Sequence, residues 1–313
     1  MPTPAVRTVA CLLVAAIMLP LVAGCGSKKK KVSGPTIGSL QEKADKETAG
    51  DRKSTALLRV ARAKLKAGDR SGAVDSAKKA LQALPDEGEA GVLGPKFVEV
   101  AVFLGEIGEK VQAKTALKKA VEMADSIGDP VRKAGVFADA GAVYADKAKG
   151  VGDSKAAKAS LDKAKEIAGE MEPRFKGEAL AKVALGYVKG GLQDAASEMV
   201  EMLEETGRSL EDARAKAEAL AAAANVRTQT GKKDLAKELL AEAAKAAKGV
   251  ERVESRANAL LAVGQAAAAC GDRKQGLALL EEAYKAADKV GDPEQRTIVL
   301  AKVASAIDEM KKK

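Results

Sequence analysis

An all-α fold, an α-solenoid of about six helical hairpins plus a closing helix, is predicted by three observations. The 313 residues are 46% hydrophobic but only 2% aromatic, with Ala, Leu and Val spread evenly among 31% charged residues, a composition for helix and not for disorder. Glycines recur about every 40 residues. After each glycine, apolar residues fall at i, i+4 and i+7, one face of an α-helix.

Composition also narrows the chemistry. The chain has no His and no Trp, which removes the commonest general base and the commonest metal ligand. The net charge of +9 is concentrated at the ends: Arg7, Lys28–Lys31 and Lys311–Lys313 carry eight of the 53 basic residues, leaving 45 against 44 acidic ones. A nearly neutral body with seven aromatics argues against nucleic acid.

Along the chain, residues 1–24 hold Arg7 and an apolar run from Val9 to Leu19. That run is short for a membrane span, which needs about 20 residues, and suits the core of a secretory signal. Its end reads Leu21-Val22-Ala23-Gly24-Cys25. This resembles the lipobox of bacterial lipoproteins. The resemblance implies cleavage before Cys25 by signal peptidase II, attachment of a diacylglyceryl group to the Cys25 thiol, palmitate among the lipid chains, and a lipid anchor in the bacterial cell membrane or outer membrane, facing the periplasm or exterior. Residue 26 is Gly, not the Asp of an inner-membrane retention signal. Cys11 leaves with the leader and Cys25 carries lipid, so Cys270 is the one remaining thiol and no internal disulfide forms. Cys270 ends an Ala-rich helical run and is expected to be a small core residue.

Residues 25–50 are expected to be a Lys-rich flexible tether, with Gly34 and Pro35 and no sustained period. Its four lysines either touch anionic headgroups or are simply solvated. The helical body spans 51–311. Its hairpins bend at Gly68, Gly108, Gly152, Gly190, Gly231 and Gly271, spaced 40, 44, 38, 41 and 40, since Gly takes the positive φ that ends a helix. The second helices share the rows Ala73–Ala77–Ala80, Ala113–Leu117–Ala120, Ala157–Leu161–Ala164, Ala195–Met199–Met202, Ala236–Leu240–Ala243 and Gly276–Leu280–Ala283. The first helices carry a small residue seven before the Gly: Ala61, Ala101, Ala184 (counted from Gly191), Ala224 and Gly264. Eight residues earlier a base often stands: Lys53, Lys176, Lys216 or Arg256. About four extra residues around Lys149–Gly152 explain the spacing of 44. Residues 293–310 repeat the first helix once more, with Arg296 and Ala304 in register. Pro85, Pro130, Pro173 and Pro293 mark the joints, where Pro fits a first helical turn.

These residues resemble the tetratricopeptide repeat. In the first unit Leu57, Val60, Ala61, Gly68-Asp69, Ala73, Ala80-Leu81 and Pro85 fall at that family's spacing, as do Leu260, Val263, Gly264, Gly271-Asp272, Leu280 and Ala283 in the sixth. The family repeats at about 34 residues, shorter than here, and its Trp and Tyr positions are mostly Leu and Ala in this chain. The resemblance implies a right-handed α-solenoid whose first helices line a concave, partner-binding groove. Counting back from each Gly places Arg62, Lys66, Asn225, Gln229, Asn258 and Gln265 there. Asn225 and Gln265 match part of the family's carboxylate clamp, with Ala221 where the paired Lys would be. Asn and Gln offer both donor and acceptor to the backbone of an extended peptide.

Metal motifs and cofactor sites are not expected. The Ser-x-x-Lys matches Ser76–Lys79 and Ser160–Lys163 lack the other elements of a serine acyltransferase. Lys149-Gly-Val-Gly-Asp-Ser-Lys155 opens a helix but lacks phosphate-loop spacing. The chain therefore reads as a non-enzymatic, membrane-anchored scaffold for other envelope proteins or peptides. The alternatives are a structural spacer or surface-layer component and, last, an envelope hydrolase.

Overall fold

The structure, a computed structural model, describes residues 35–312. The expected signal peptide, Cys25 and the first part of the tether lie outside the described residues. From Ile37 on, the chain forms one compact unit. A helix α1 (Ile37–Lys46) comes first. Six hairpins follow: α2 (Gly50–Lys66) with α3 (Arg70–Ala83), α4 (Ala90–Glu106) with α5 (Lys110–Asp125), α6 (Pro130–Ala145) with α7 (Ser154–Gly169), α8 (Pro173–Lys189) with α9 (Gln193–Ser209), α10 (Ala213–Gln229) with α11 (Lys233–Lys248), and α12 (Val253–Ala269) with α13 (Arg273–Ala287). The closing helix is α14 (Pro293–Lys312).

The bends form for a local reason. Gly68, Gly108, Gly152, Gly191, Gly231 and Gly271 have φ between 71° and 89°, a region costly for any residue with a Cβ. At five of the six bends the same two hydrogen bonds close the preceding helix. Gly68 N–H donates to Leu65 O at 3.0 Å and Asp69 N–H to Lys64 O at 2.9 Å, with equivalents at Gly108, Gly191, Gly231 and Gly271. This pairing satisfies carbonyls that a helix end leaves open. Asp69, Asp153 and Asp272 then cap the next helix by accepting from the N–H three residues on. Asp129, Asp212 and Asp292 cap α6, α10 and α14 in the same way, each a contribution of about 1 kcal/mol.

Two registers differ from the sequence expectation. The fourth bend is at Gly191, not Gly190, so the row of α9 in register with the other units is Ala196, Val200 and Leu203, all buried; of the expected row Met199 is fully buried and Ala195 and Met202 are half-buried. In the third unit, seven before Gly152 is Ala145. The small residue that meets the second helix is instead Gly141, because the extra residues loop out between α6 and α7. There Asp153 N–H reaches back to Tyr144 O at 2.8 Å, a wider closure than at the other bends. The crossing positions are then Ala61, Ala101, Gly141, Ala184, Ala224 and Gly264. All are buried. Three residues before the Ala61-type position, Leu58, Val98, Ala138, Ala181 and Ala221 are also buried and Leu261 is half-buried; four before it stand Leu57, Phe97, Phe137, Leu180, Leu220 and Leu260, at most 4% exposed. A fully buried side chain of this size contributes about 1.5–3 kcal/mol.

The first helices α2, α4, α6, α8, α10, α12 and α14 pack one on the next, while each second helix packs against the first helices of its own and the following unit. This two-layer stack is an α-solenoid, since no single hairpin buries both of its faces. The second half of the expected tether departs from plain coil: α1 packs on α2 and buries Ala44 completely.

Candidate partner groove

On each first helix the own second helix covers the Ala61-type position, and the preceding second helix covers the opposite flank, as where Gly186 meets Leu161 of α7. The remaining arc, one residue after and two before the crossing position, faces away from the second helices. It forms the open surface of the first-helix layer. Arg62, Lys66, Gln229 and Gln265 on this arc are exposed, and Asn225 and Asn258 are half-buried.

The six expected residues divide into two environments. Arg62 pairs with Glu99 of α4 at 3.3 Å and lies 5.9 Å from the Phe103 ring centre, and Lys96 of α4 reaches back to Thr55 at 2.9 Å and to Glu99 at 3.5 Å. Further along, Lys182 of α8 sits 3.5 Å from Asp139 of α6 and 3.6 Å from Glu178. Desolvation in the groove raises the Asp139 pKa, with Lys182 pulling it back down. The charges of the first four units thus largely answer one another.

Around Asn225, Gln229, Asn258 and Gln265 the open face of α10 and α12 carries no charge, whereas the α10 counterpart of Asn258 is Glu218, paired with Arg214 at 2.8 Å. Asn225 Oδ1 accepts from Gln229 Nε2 at 3.1 Å, a bond that does not use the Asn225 amide N–H₂ donor or the Gln229 carbonyl acceptor. Gln265 occupies the same place one unit on, and Ala222 and Ala262 stand between them, half-buried. Ala221 is in the core at 4% exposure, so it is not a groove position at all. One turn before Asn258, a cleft of about 710 Å³ opens between the starts of α10 and α12, lined by Glu211, Arg214, Glu218, Glu251, Arg252 and Ser255. Sequence reasoning missed these rim charges and the Glu99–Asp139–Lys182 series. The latter recurs two residues before the crossing position, so the 40-residue spacing held its signal once Gly141 was in register.

The other singled-out residues have structural partners. Ser76 is buried, donates to Gly72 O at 2.8 Å and accepts from Lys64 at 3.1 Å, which ties α3 to α2. Ser160 is buried as well. Asp153 occupies the N-terminus of α7 with its own carboxylate and takes Lys114 at 2.7 Å. Cys270 is half-buried, its thiol directed at Ala224 O at 3.6 Å, and burial raises its pKa. Among the described residues no three His, Cys, Asp or Glu side chains converge as metal ligands, and no helix is long and apolar enough to cross a membrane.

No family model and no curated protein matches the chain. Solved structures with a similar fold include a putative kinesin light chain from Podosopora anserina with nearly identical TPR-like repeats, at 17% identity and a TM-score of 0.41, covering 65% of this chain and 98% of that one. A tetratricopeptide repeat protein from Parabacteroides merdae aligns at 15% identity and 0.39, covering 86% and 91%. The Rap conjugation gene regulator of plasmid pLS20, solved with the Phr* peptide, aligns at 16% and 0.35, covering 83% and 74%. The fold is a tetratricopeptide-like helical repeat, an assignment carried by this chain's own stacked hairpins and periodic glycine bends.

Proposed function

We propose that the chain is a protein-interaction scaffold of the bacterial cell envelope, held at a membrane through lipid on Cys25 and binding an extended segment of a partner over α10 and α12. The observation that carries the binding half is the neutral row of Asn225, Gln229, Asn258 and Gln265 on the open face of two adjacent first helices. Such a row offers paired donors and acceptors to a peptide backbone without the cost of desolvating charge. The anchoring half rests on the Leu21–Cys25 sequence behind an apolar leader; two or more lipid chains give stable attachment where one does not.

The binding half is tested by a crosslinked pull-down from solubilised membranes. Wild type is compared with a variant carrying Ala at all four Asn and Gln positions, after circular dichroism shows equal helicity. Wild type is expected to capture a partner that the variant loses. A partner kept by both discards this groove, and no partner in either discards the scaffold. For the anchor, Cys25→Ser is expected to release the protein from the membrane fraction; unchanged lipid labelling and fractionation would refute it.

A further inference from the structure

Helix α2 holds six basic residues against one acidic, Asp51, the largest excess of one sign in any described helix. Arg52, Thr55, Arg59, Arg62 and Lys66 recur at steps of three and four residues, one side of a helix, and the four bases among them are exposed. At the start of this row a cleft of about 530 Å³ opens between α1, α2 and α4. It is lined by Lys43, Lys46, Arg52, Thr55, Arg59 and Lys96, with Glu47 and Asp51 as its acids. Part of this charge is answered: Lys46 by Glu42, Arg52 by Glu47 and Lys96 by Glu99. Lys43 and Arg59 are exposed and have no carboxylate within ion-pair distance among the described residues. The cleft between α10 and α12 has the reverse balance, with four acids against two bases.

We propose that this cleft binds the phosphate headgroups of an anionic lipid surface, so that the α1–α2 end of the stack lies against the membrane. The proposal rests on the anchoring half of the function above. Cys25 and Ile37 are 12 residues apart, a reach of about 40 Å at most, so lipid on Cys25 keeps this end close to headgroups. An equally basic cleft, of Lys248, Arg256, Lys285 and Lys289 with Glu282, lies five helix spacings of about 8–10 Å further along the stack. A phosphodiester carries one negative charge over two free oxygens. Arg59 offers it a planar fork of N–H donors, Lys43 an ammonium from α1, and Thr55 a hydroxyl 2.9 Å from Lys96 Nζ. Each base near such a surface strengthens binding about fivefold. That attraction fades beyond a Debye length, about 8 Å in physiological salt, so the contact is a direct one.

The test uses the full chain, purified in detergent and reconstituted with vesicles of phosphatidylcholine alone or mixed with phosphatidylglycerol. Flotation reads attachment, and the acylation rate of each lysine, followed by mass spectrometry, reads the cleft. Lys43 is expected to react several-fold more slowly with the anionic vesicles than with the neutral ones. Lys79, exposed on α3 of the same hairpin, and Lys289, exposed at the distant basic cleft, should react alike in both. Arg59→Gln, at an exposed position, should keep the wild-type circular dichroism and lose about fivefold of the Lys43 protection. Equal Lys43 rates in neutral and anionic vesicles would overturn the proposal, while flotation with neutral vesicles would still uphold the anchor. A chain that ignores neutral vesicles, yet floats with anionic ones and protects Lys43, would remove the anchor and uphold the cleft. Protection that extends equally to Lys289 would overturn the cleft in favour of general charge attraction. Protection of Lys43 by inorganic phosphate or by an acidic peptide, and not by the vesicles, would overturn the lipid assignment in favour of a soluble anion or a protein partner.

Discussion

Leu161 of α7 is held between two glycines, Gly141 of α6 and Gly186 of α8, and this grip shows how single residues set the spacing of neighbouring units. A Cβ at Gly141 would lie 2.6 Å from Leu161 Cγ, and one at Gly186 would also collide with the Leu161 side chain. Leu161 is fully buried and cannot swing into solvent. Gly141→Ala is therefore expected to destabilise by about 1–3 kcal/mol, the usual range for overpacking, read as a lowered urea midpoint. Adding Leu161→Ala should recover part of that loss, and an additive double variant would show that the two do not share a contact. Basic residues act at the same scale. Arg70 donates to Ile107 O at 2.6 Å and Arg273 bonds Met310 O, each crossing to the C-terminal end of the next unit's first helix, and Lys110 donates to Lys147 O at 2.9 Å in the turn just after α6. A cation there meets the negative end of the helix dipole. Arg70→Ala should cost about 0.5–2 kcal/mol, whereas the neighbouring exposed Ser71→Ala should cost almost nothing.

At the scale of the helix, the bends carry a pH dependence. Asp153 caps α7 and accepts from Lys114 of α5; that hydrogen bond, then the one from Ala156 N–H, holds its carboxyl below the usual value of 3.8. A group lowered on folding stabilises above its unfolded pKa, and the contribution is lost as pH falls through the folded value. Lys114→Ala is thus expected to lower the urea midpoint near pH 7, with the gap to wild type narrowing as pH falls below the usual carboxylate value of 3.8. A gap that stays the same size however far the pH is lowered would refute the assignment. The helix pairs themselves were legible in the sequence, because a bend at positive φ needs Gly and the apolar rows follow it at helical spacing. Gly190 and Gly191 could not be told apart, since both are glycines and only the backbone shows which turns. The third unit hid Gly141 because counting back from Gly152 crosses the looped-out residues. Short α1 escaped notice for a different reason: of its ten residues only Ala44 is buried, too little to print a period.

The whole stack is close to one-dimensional: each unit meets its neighbours, so stability is shared along it and not concentrated in one core. That Asn225 and Gln265 share one face of successive first helices was legible because they recur 40 residues apart. The pairing of Arg62 with Glu99 and of Lys182 with Asp139 was not, because it depends on distances between units that no single helix encodes. The two layers are also joined by different forces. First helices meet mainly through buried apolar columns, with the pairs Arg62–Glu99 and Lys182–Asp139 at their open face, whereas the second helices α5 to α13 are linked in succession by exposed pairs: Lys163–Asp125 at 3.0 Å, Lys165–Glu198 at 2.6 Å, Arg208–Glu242 at 3.0 Å and Lys248–Glu282 at 2.8 Å. Salt screens such surface pairs strongly and apolar contacts hardly at all. The stack should then behave like a bimetallic strip, with ionic strength in the place of temperature. As salt rises the outer layer slackens and lengthens while the inner one keeps its length, so the strip curls more tightly toward the groove. Small-angle scattering is expected to report a smaller radius of gyration in high salt, and an unchanged one would mean that packing alone sets the bend. Such a curl would change the distance between the open faces of successive first helices.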